Sequence, residues 1–181
     1  FKTHTFTSPG TFCVSFSGNP SGSNSVDYLV VAGGGGSSSG PQSGSRESGG
    51  GGAGGFRLSN SLSLPAPTTS PLATSVAIPV TATAFPITVG GGGAGAAEGS
   101  STKASDGSNT VFSTITSAGG GAGGVSFNPN APGTRVNGNP GGSGGGGSQT
   151  PSNSTGPGGT GNTPATDPPQ GQNGGTGQHV N

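Results

Sequence analysis

Hydrophobic residues in this chain come in short bursts, and most of the bursts have the period of a β-strand. Phe12, Val14 and Phe16 alternate with Thr11, Cys13, Ser15 and Ser17, which predicts a half-buried strand over 11–17. Ser8-Pro9-Gly10 is turn chemistry, so 2–7 and 11–17 are expected to pair as a hairpin. The continuous apolar stretch 26–32 (VDYLVVA) reads as a strand buried on both faces. Further strands are expected at 76–83, at 87–89 and at 111–116, the last rich in β-branched residues. Pro79 and Pro86 lack the amide that a central strand needs, which predicts edge or bulged strands there. Phe6, Phe12, Phe16, Leu29, Val31, Ile78 and Ile115 are the expected core. No apolar period of 3.6 survives two turns, because Gly and Pro interrupt every window, so essentially no α-helix is expected.

Several of these bursts run straight into glycine. Glycine-rich runs occupy 33–36, 49–55, 90–95, 119–124 and 141–147, with looser ones at 156–161 and 171–177. The segments between them vary widely in length, so the motif repeats without the fixed period of a solenoid. A flexible linker is the simplest reading of any one run, but linkers have no reason to recur at strand ends. The alternative is polyglycine II, a three-residue-per-turn helix with no internal hydrogen bonds. Its outward amides must find partners, and neighbouring runs can supply them if no Cβ keeps the backbones apart. A seven-residue run would span about 22 Å. The central glycines Gly51, Gly52, Gly91, Gly92, Gly120, Gly121, Gly145 and Gly146 are the expected contacts, with loops projecting from the bundle ends. The predicted fold class is therefore all-β plus polyglycine II. The sequence divides into a strand and glycine domain, 1–147, and a Gly/Pro/Ser/Thr-rich extension, 148–181, that could continue the bundle.

Composition explains why such an architecture is needed. Gly accounts for 43 and Pro for 16 of 181 residues. Phe, Leu, Ile and Val together number 27 of 181, below the ~20% that an ordinary oily core requires. Five basic and five acidic residues cancel. There is no basic stripe for phosphates, which argues against nucleic acid, and no net charge to drive disorder. No apolar stretch approaches the ~18–20 residues of a membrane span. Cys13 is the single cysteine, so no intrachain disulfide can form. A chain beginning at Phe1 is expected to be processed or part of something longer.

Catalytic chemistry finds no foothold in the residues. The stretch 50–55 matches G-x-G-x-x-G formally, but no helix follows and glycine is everywhere. His4 and His179 stand apart from any metal-spaced cluster. Cys13 is expected to be a buried, inert thiol. The carboxylates are scattered singly, and no glycosidase pair can be nominated. No cofactor is expected, and the chain is read as a non-enzyme. Asn153-Ser154-Thr155 is a formal glycosylation acceptor. Candidate surface-binding residues are Arg46, Glu47, Phe56, Arg57, Phe127 and Arg135, charged or aromatic side chains set among small ones in loops. Phe56 and Phe127 could instead plug the ends of the bundle. The stretch 58–73, with Pro65, Pro67 and Pro71, is expected to be extended and exposed.

The order of blocks resembles a known family. FTSPGTF at 6–12, VDYLVVAGGGG at 26–36 and GGGGAGGFR at 49–57 are similar to the glycine-rich domain of bacteriophage tail-fibre and virion-associated proteins, frequent in marine phages. FPITVGGGG at 85–93 and NTVFSTITSAGGG at 109–121 resemble later blocks of the same domain. The resemblance implies a polyglycine II sandwich whose variable loops recognise a host, and so a structural role in a virion fibre or adhesin. It implies an extracellular or virion-surface location. Partners would be further copies, other fibre proteins, or a cell-surface glycan or outer-membrane protein. Two other readings stand beside it: a subunit of a self-assembling extracellular filament, and an ice-binding bundle. The last would need a regular flat Thr face, which the irregular Thr spacing does not give.

Overall fold

The computed structural model describes residues 2–18, 23–40, 48–65, 70–100, 102–126, 136–149 and 156–178. Among them there is no α-helix, and nine short strands form three small sheets. β1 (Gly10–Cys13), β7 (Ala84–Thr88), β8 (Thr110–Phe112) and β9 (Ile115–Ser117) make the largest, in that order. β2 (Ser25–Val26) pairs with β6 (Ile78–Pro79), and β3 (Leu29–Val31), β4 (Phe56–Ser59) and β5 (Ala73–Thr74) form the third sheet. The pairs are antiparallel except β4 with β5.

The sheets enclose a small apolar core of Tyr28, Val30, Ile78, Ile87 and Phe112, flanked by Phe6, Phe12, Val26, Phe85, Val89 and Ile115. Phe12, Phe85 and Phe112 lie 6.1–6.3 Å apart in tilted or edge-on pairs, the arrangement that the ring quadrupoles favour.

Several expected strands are corrected. Residues 2–7 are not a strand; β1 pairs instead with β7, Phe12 opposite Phe85, across more than seventy positions. The 11–17 strand ends at Cys13, and Phe16 is 88% exposed rather than buried. Cys13 is exposed as well, because β1 turns Phe12 inward. The apolar stretch 26–32 is buried on one face only. Tyr28 and Val30 point into the core, while Leu29 and Val31, expected inside, are 59% and 49% exposed. The sheet has no second layer over that face, so period 2 decides which half is covered. The single strand expected at 111–116 is a hairpin, Phe112 facing Ile115 across Ser113 and Thr114. Pro86 lies in β7, which has neighbours on both sides. It is tolerated because pairing with β8 begins only at Ile87, so its missing amide would have met no carbonyl there.

Beyond the sheets the chain runs up and down in nine extended segments: 32–38, 49–55, 90–96, 104–109, 118–124, 136–141, 142–148, 156–161 and 171–177. They are numbered one to nine here in chain order. Each bonds to its neighbours at every third residue. In the first run Ala32, Gly35 and Ser38 donate to Gly55, Gly52 and Gly49 of the second, at 2.8–3.2 Å. Gly33 and Gly36 donate to Ser108 and Ser105 of the fourth, and the carbonyls of Gly34 and Ser37 accept from Gly93 and Ala96 of the third. Three successive residues thus address three different neighbours. The fourth run, 104–109, was not expected from its sequence, since it holds a single glycine.

Bundle packing explains the glycines. Among the described glycines only Gly18 and Gly99 have left-handed φ, and neither lies in a run, so the runs use backbone angles open to any residue. What excludes side chains is space. A Cβ on Gly51 would lie 2.0 Å from the Gly35 carbonyl oxygen, on Gly52 2.3 Å from that of Ser143, on Gly120 2.1 Å from that of Gly52, and on Gly145 2.1 Å from that of Ala122. For Gly121 the obstacle is the Asn139 carbonyl. Gly91, Gly92 and Gly146 differ. Gly91 has nothing within 4 Å, and the other two have only ordinary contacts, at 3.7 and 3.5 Å. Some of the residues that do carry side chains fall three positions from such open glycines: Ser37 from Gly34, Ala53 from Gly50, Ala94 from Gly91, Ser143 from Gly146.

Candidate functional site

The direction of each run fixes two unlike ends. At one end stand all nine strands, the tight turn between the sixth and seventh runs, and the turn over 162–170. At the other end lie the described residues that flank 41–47, 101, 127–135 and 150–155. The bonds of Ser38 to Gly49, Gly124 to Gly146, Ser148 to Val136 and Gly177 to Gly156 bring these flanks together there.

This geometry divides the candidate surface residues. Arg46, Glu47, Phe127 and Arg135 lie outside the described residues. Phe56 and Arg57 are at the sheet end. They were expected in a loop but belong to β4, opposite Val31 and Val30, and are half-buried. The Phe56 amide donates to the Gln170 carbonyl at 2.9 Å, tying that strand to the turn beside it. The exposed large apolar side chains, Phe16, Leu29, Val31, Leu62, Leu64 and Val76, are all at the sheet end among the described residues.

Sequence reasoning missed the polar residues that organise the bundle. The fifth run is its centre, with 117–126 buried throughout. Its neighbours are runs one, two, four, six and seven, and one side has no run against it. Side chains of the fourth run close that side. Asp106 Oδ1 accepts from the Ala122 amide at 2.7 Å, and Asn109 Oδ1 from the Gly119 amide at 2.9 Å. Asp106 Oδ1 also accepts from Asn139 Nδ2 of the sixth run at 2.8 Å, while Lys103 Nζ donates to Asn139 Oδ1 at 2.5 Å. Positions 103, 106 and 109 share the three-residue period of the backbone bonds, which is the one signal the sequence offered. Burial holds Lys103 below the ordinary lysine range, against the opposing pull of Asp106.

Two further side chains cap backbone groups. Gln170, 2% exposed, accepts from the Ala118 amide through Oε1 at 2.8 Å and donates through Nε2 to the Pro164 carbonyl at 2.8 Å. At the sheets Asp27 accepts from Ser59 Oγ, the Ser61 amide and Ser61 Oγ at 2.7–3.0 Å. Partial desolvation pushes the Asp27 carboxyl up, but these three bonds outweigh it and hold it below the usual aspartate value. Its contribution to stability is therefore present above about pH 4 and is lost as the pH falls through its lowered folded value.

No group of His, Cys, Asp and Glu that could hold a metal gathers among the described residues, and no helix there is long and apolar enough to cross a membrane. The molecule is thus of an all-β, glycine-dominated class held together by backbone hydrogen bonds between runs. The family model described as a glycine-rich domain matches residues 7–181, and the chain belongs to that family. No curated protein and no solved structure matches it.

Proposed function

We propose that the chain is a non-catalytic structural module of a virion fibre or adhesin, whose glycine runs are polyglycine II helices and whose links present a recognition surface for a host cell. One observation carries this reading: the described residues that flank four connections between runs gather at one end of the bundle, while the sheets occupy the other. A bundle that sends its variable-length connections to one end resembles a rigid stem with a tip, and binding residues concentrate on loops held by such scaffolds. The bond period of three residues and the absence of left-handed φ within the runs favour a polyglycine II geometry. On this reading Arg46, Glu47, Phe127 and Arg135 serve the tip, and a glycan or outer-membrane protein is the receptor. The location is the virion surface or the extracellular space.

A second reading, a subunit of a self-assembling filament, is favoured by the third run. Among the described residues the amides of Gly91, Gly92, Ala94 and Gly95 have no hydrogen-bond acceptor, and these four residues are exposed with small side chains or none. Immunogold electron microscopy with antibodies to the chain separates the two. Label at the ends of virion fibres is expected. Label along free filaments would favour the second reading, and label on neither would defeat both.

A further inference from the structure

Lys103, Asp106 and Asn139 form a constellation that structural bridging alone does not use up. The Lys103 amine lies 2.5 Å from the carboxamide oxygen of Asn139, and the nitrogen of the same carboxamide lies 2.8 Å from Asp106 Oδ1. The amine is hydrogen-bonded to the oxygen of the amide it would attack, one bond from the carbon, and a carboxyl stands beside the leaving nitrogen. Two of the three are fixed by backbone hydrogen bonds. Asn139 donates its amide to the Ala122 carbonyl at 2.8 Å and accepts from Gly145 at 2.9 Å, while Asp106 is pinned by the Ala122 amide. We propose that Lys103 and Asn139 are joined by an intramolecular amide bond, formed without any partner enzyme and with release of ammonia.

In the reaction the lone pair of the neutral Lys103 amine attacks Asn139 Cγ, and the carbonyl electrons move to Oδ1. Asp106 accepts the proton shed by Nζ and passes it to Nδ2. When the carbonyl re-forms, the Cγ–Nδ2 bond breaks. The neutral amine and the carboxamide are consumed, and a secondary amide and ammonia are produced; ammonia then takes up a proton from solvent, matching the one the Lys103 ammonium gave up on becoming neutral. No oxidant, metal or cofactor is needed. Aminolysis of an amide is slow between free molecules, but held reactants gain effective molarities of about 10⁵–10⁸ M. Partial burial raises the share of amine that is neutral and nucleophilic. A competing loss of ammonia from Asn139 through its own backbone is closed, because the next residue is Pro140 and has no N–H to cyclise.

The bond would tie the fourth run to the sixth across the central fifth run, closing a loop between positions 36 apart. It would cross-link a chain whose single cysteine, Cys13, cannot form an internal disulfide.

Mass spectrometry of the purified full chain tests the proposal. The expected intact mass is one ammonia below the sequence mass. Trypsin should leave Lys103 uncut and release a branched peptide joining 58–135 to 136–181. Lys103→Arg keeps the charge and the hydrogen bond but cannot acylate, and should restore the full mass. Asp106→Asn should slow bond formation about a hundredfold. A native chain at full sequence mass, cut normally at Lys103, would overturn the proposal. So would a loss of ammonia that persists in Lys103→Arg, since it would then come from elsewhere, for instance by cyclisation at Asn137-Gly138.

Discussion

At the scale of the residue, the bundle separates two roles that glycine usually combines. Its conformational freedom is not used in the runs, where φ is ordinary; its lack of a Cβ is. Neighbours within one run should therefore respond oppositely to the same substitution. A Cβ on Gly51 would strike the Gly35 carbonyl at 2.0 Å, whereas one on Gly50 meets nothing within 4 Å. Gly51→Ala should force two runs apart and leave amides unpaired at about 1–3 kcal/mol each. Gly50→Ala should be neutral or stabilise by about 0.4–1 kcal/mol, because it only restricts the unfolded chain. Thermal melts of the two variants give the comparison, and a Gly50 variant as unstable as the Gly51 one would refute the steric account. Ser38, just past the glycines of the first run, is held as firmly as they are. It is 9% exposed, donates to the Gly123 carbonyl at 2.6 Å and accepts from the Ala104 amide at 3.0 Å.

At the scale of the element, the strands are short, and turn chemistry decides their ends. The hairpin of β8 and β9 was legible as one β-branched stretch, but not as two strands, since Ser113-Thr114 is not a recognisable turn pair. The structure turns there by placing Ser113 at φ 54 while Thr114 stays out of the left-handed region, the pattern of a type II′ turn. Glycine is the residue that this position favours. Ser113→Gly should raise stability by about 0.5–1 kcal/mol, read as a higher Tm; a lower Tm would mean that Ser113 makes a contact worth more than its strain. The same scale shows why the fourth run went unread. With one glycine among 104–109 it lacks the compositional mark, yet its residues other than Gly107 sit where there is room for a side chain. In the crowded interior a run is defined by its neighbours, not by its own composition.

At the scale of the whole molecule, a lattice of backbone bonds extends well beyond the main apolar cluster, which sits at the sheet end. The last two runs belong to that lattice. Gly138, Gly144 and Gly147 donate to Pro157, Gln172 and Gly175, Gly159 donates to Gly145, and Gln170 caps the central run at Ala118. Deleting residues from 156 onward should strip these bonds, each contributing about 0.5–1.5 kcal/mol net, and expose the half of the seventh run now buried. The expected result is a clearly lower Tm and a broader transition by calorimetry; an unchanged melt would show that the segment is an appendage.

The sequence alone determined the absence of helix, the glycine runs and the one-sided apolar period of several strands, because those follow from local sterics and side-chain alternation. It could not determine that β1 joins β7 or that Phe16, Leu29 and Val31 face solvent. Those depend on which faces other segments happen to cover. Nor could it show that Lys103, Asp106 and Asn139 meet. Lys103 lies just before the fourth run, Asp106 on it and Asn139 on the sixth, and only lateral packing of the runs around 117–126 brings an amine, a carboxyl and a carboxamide into one hydrogen-bonded group.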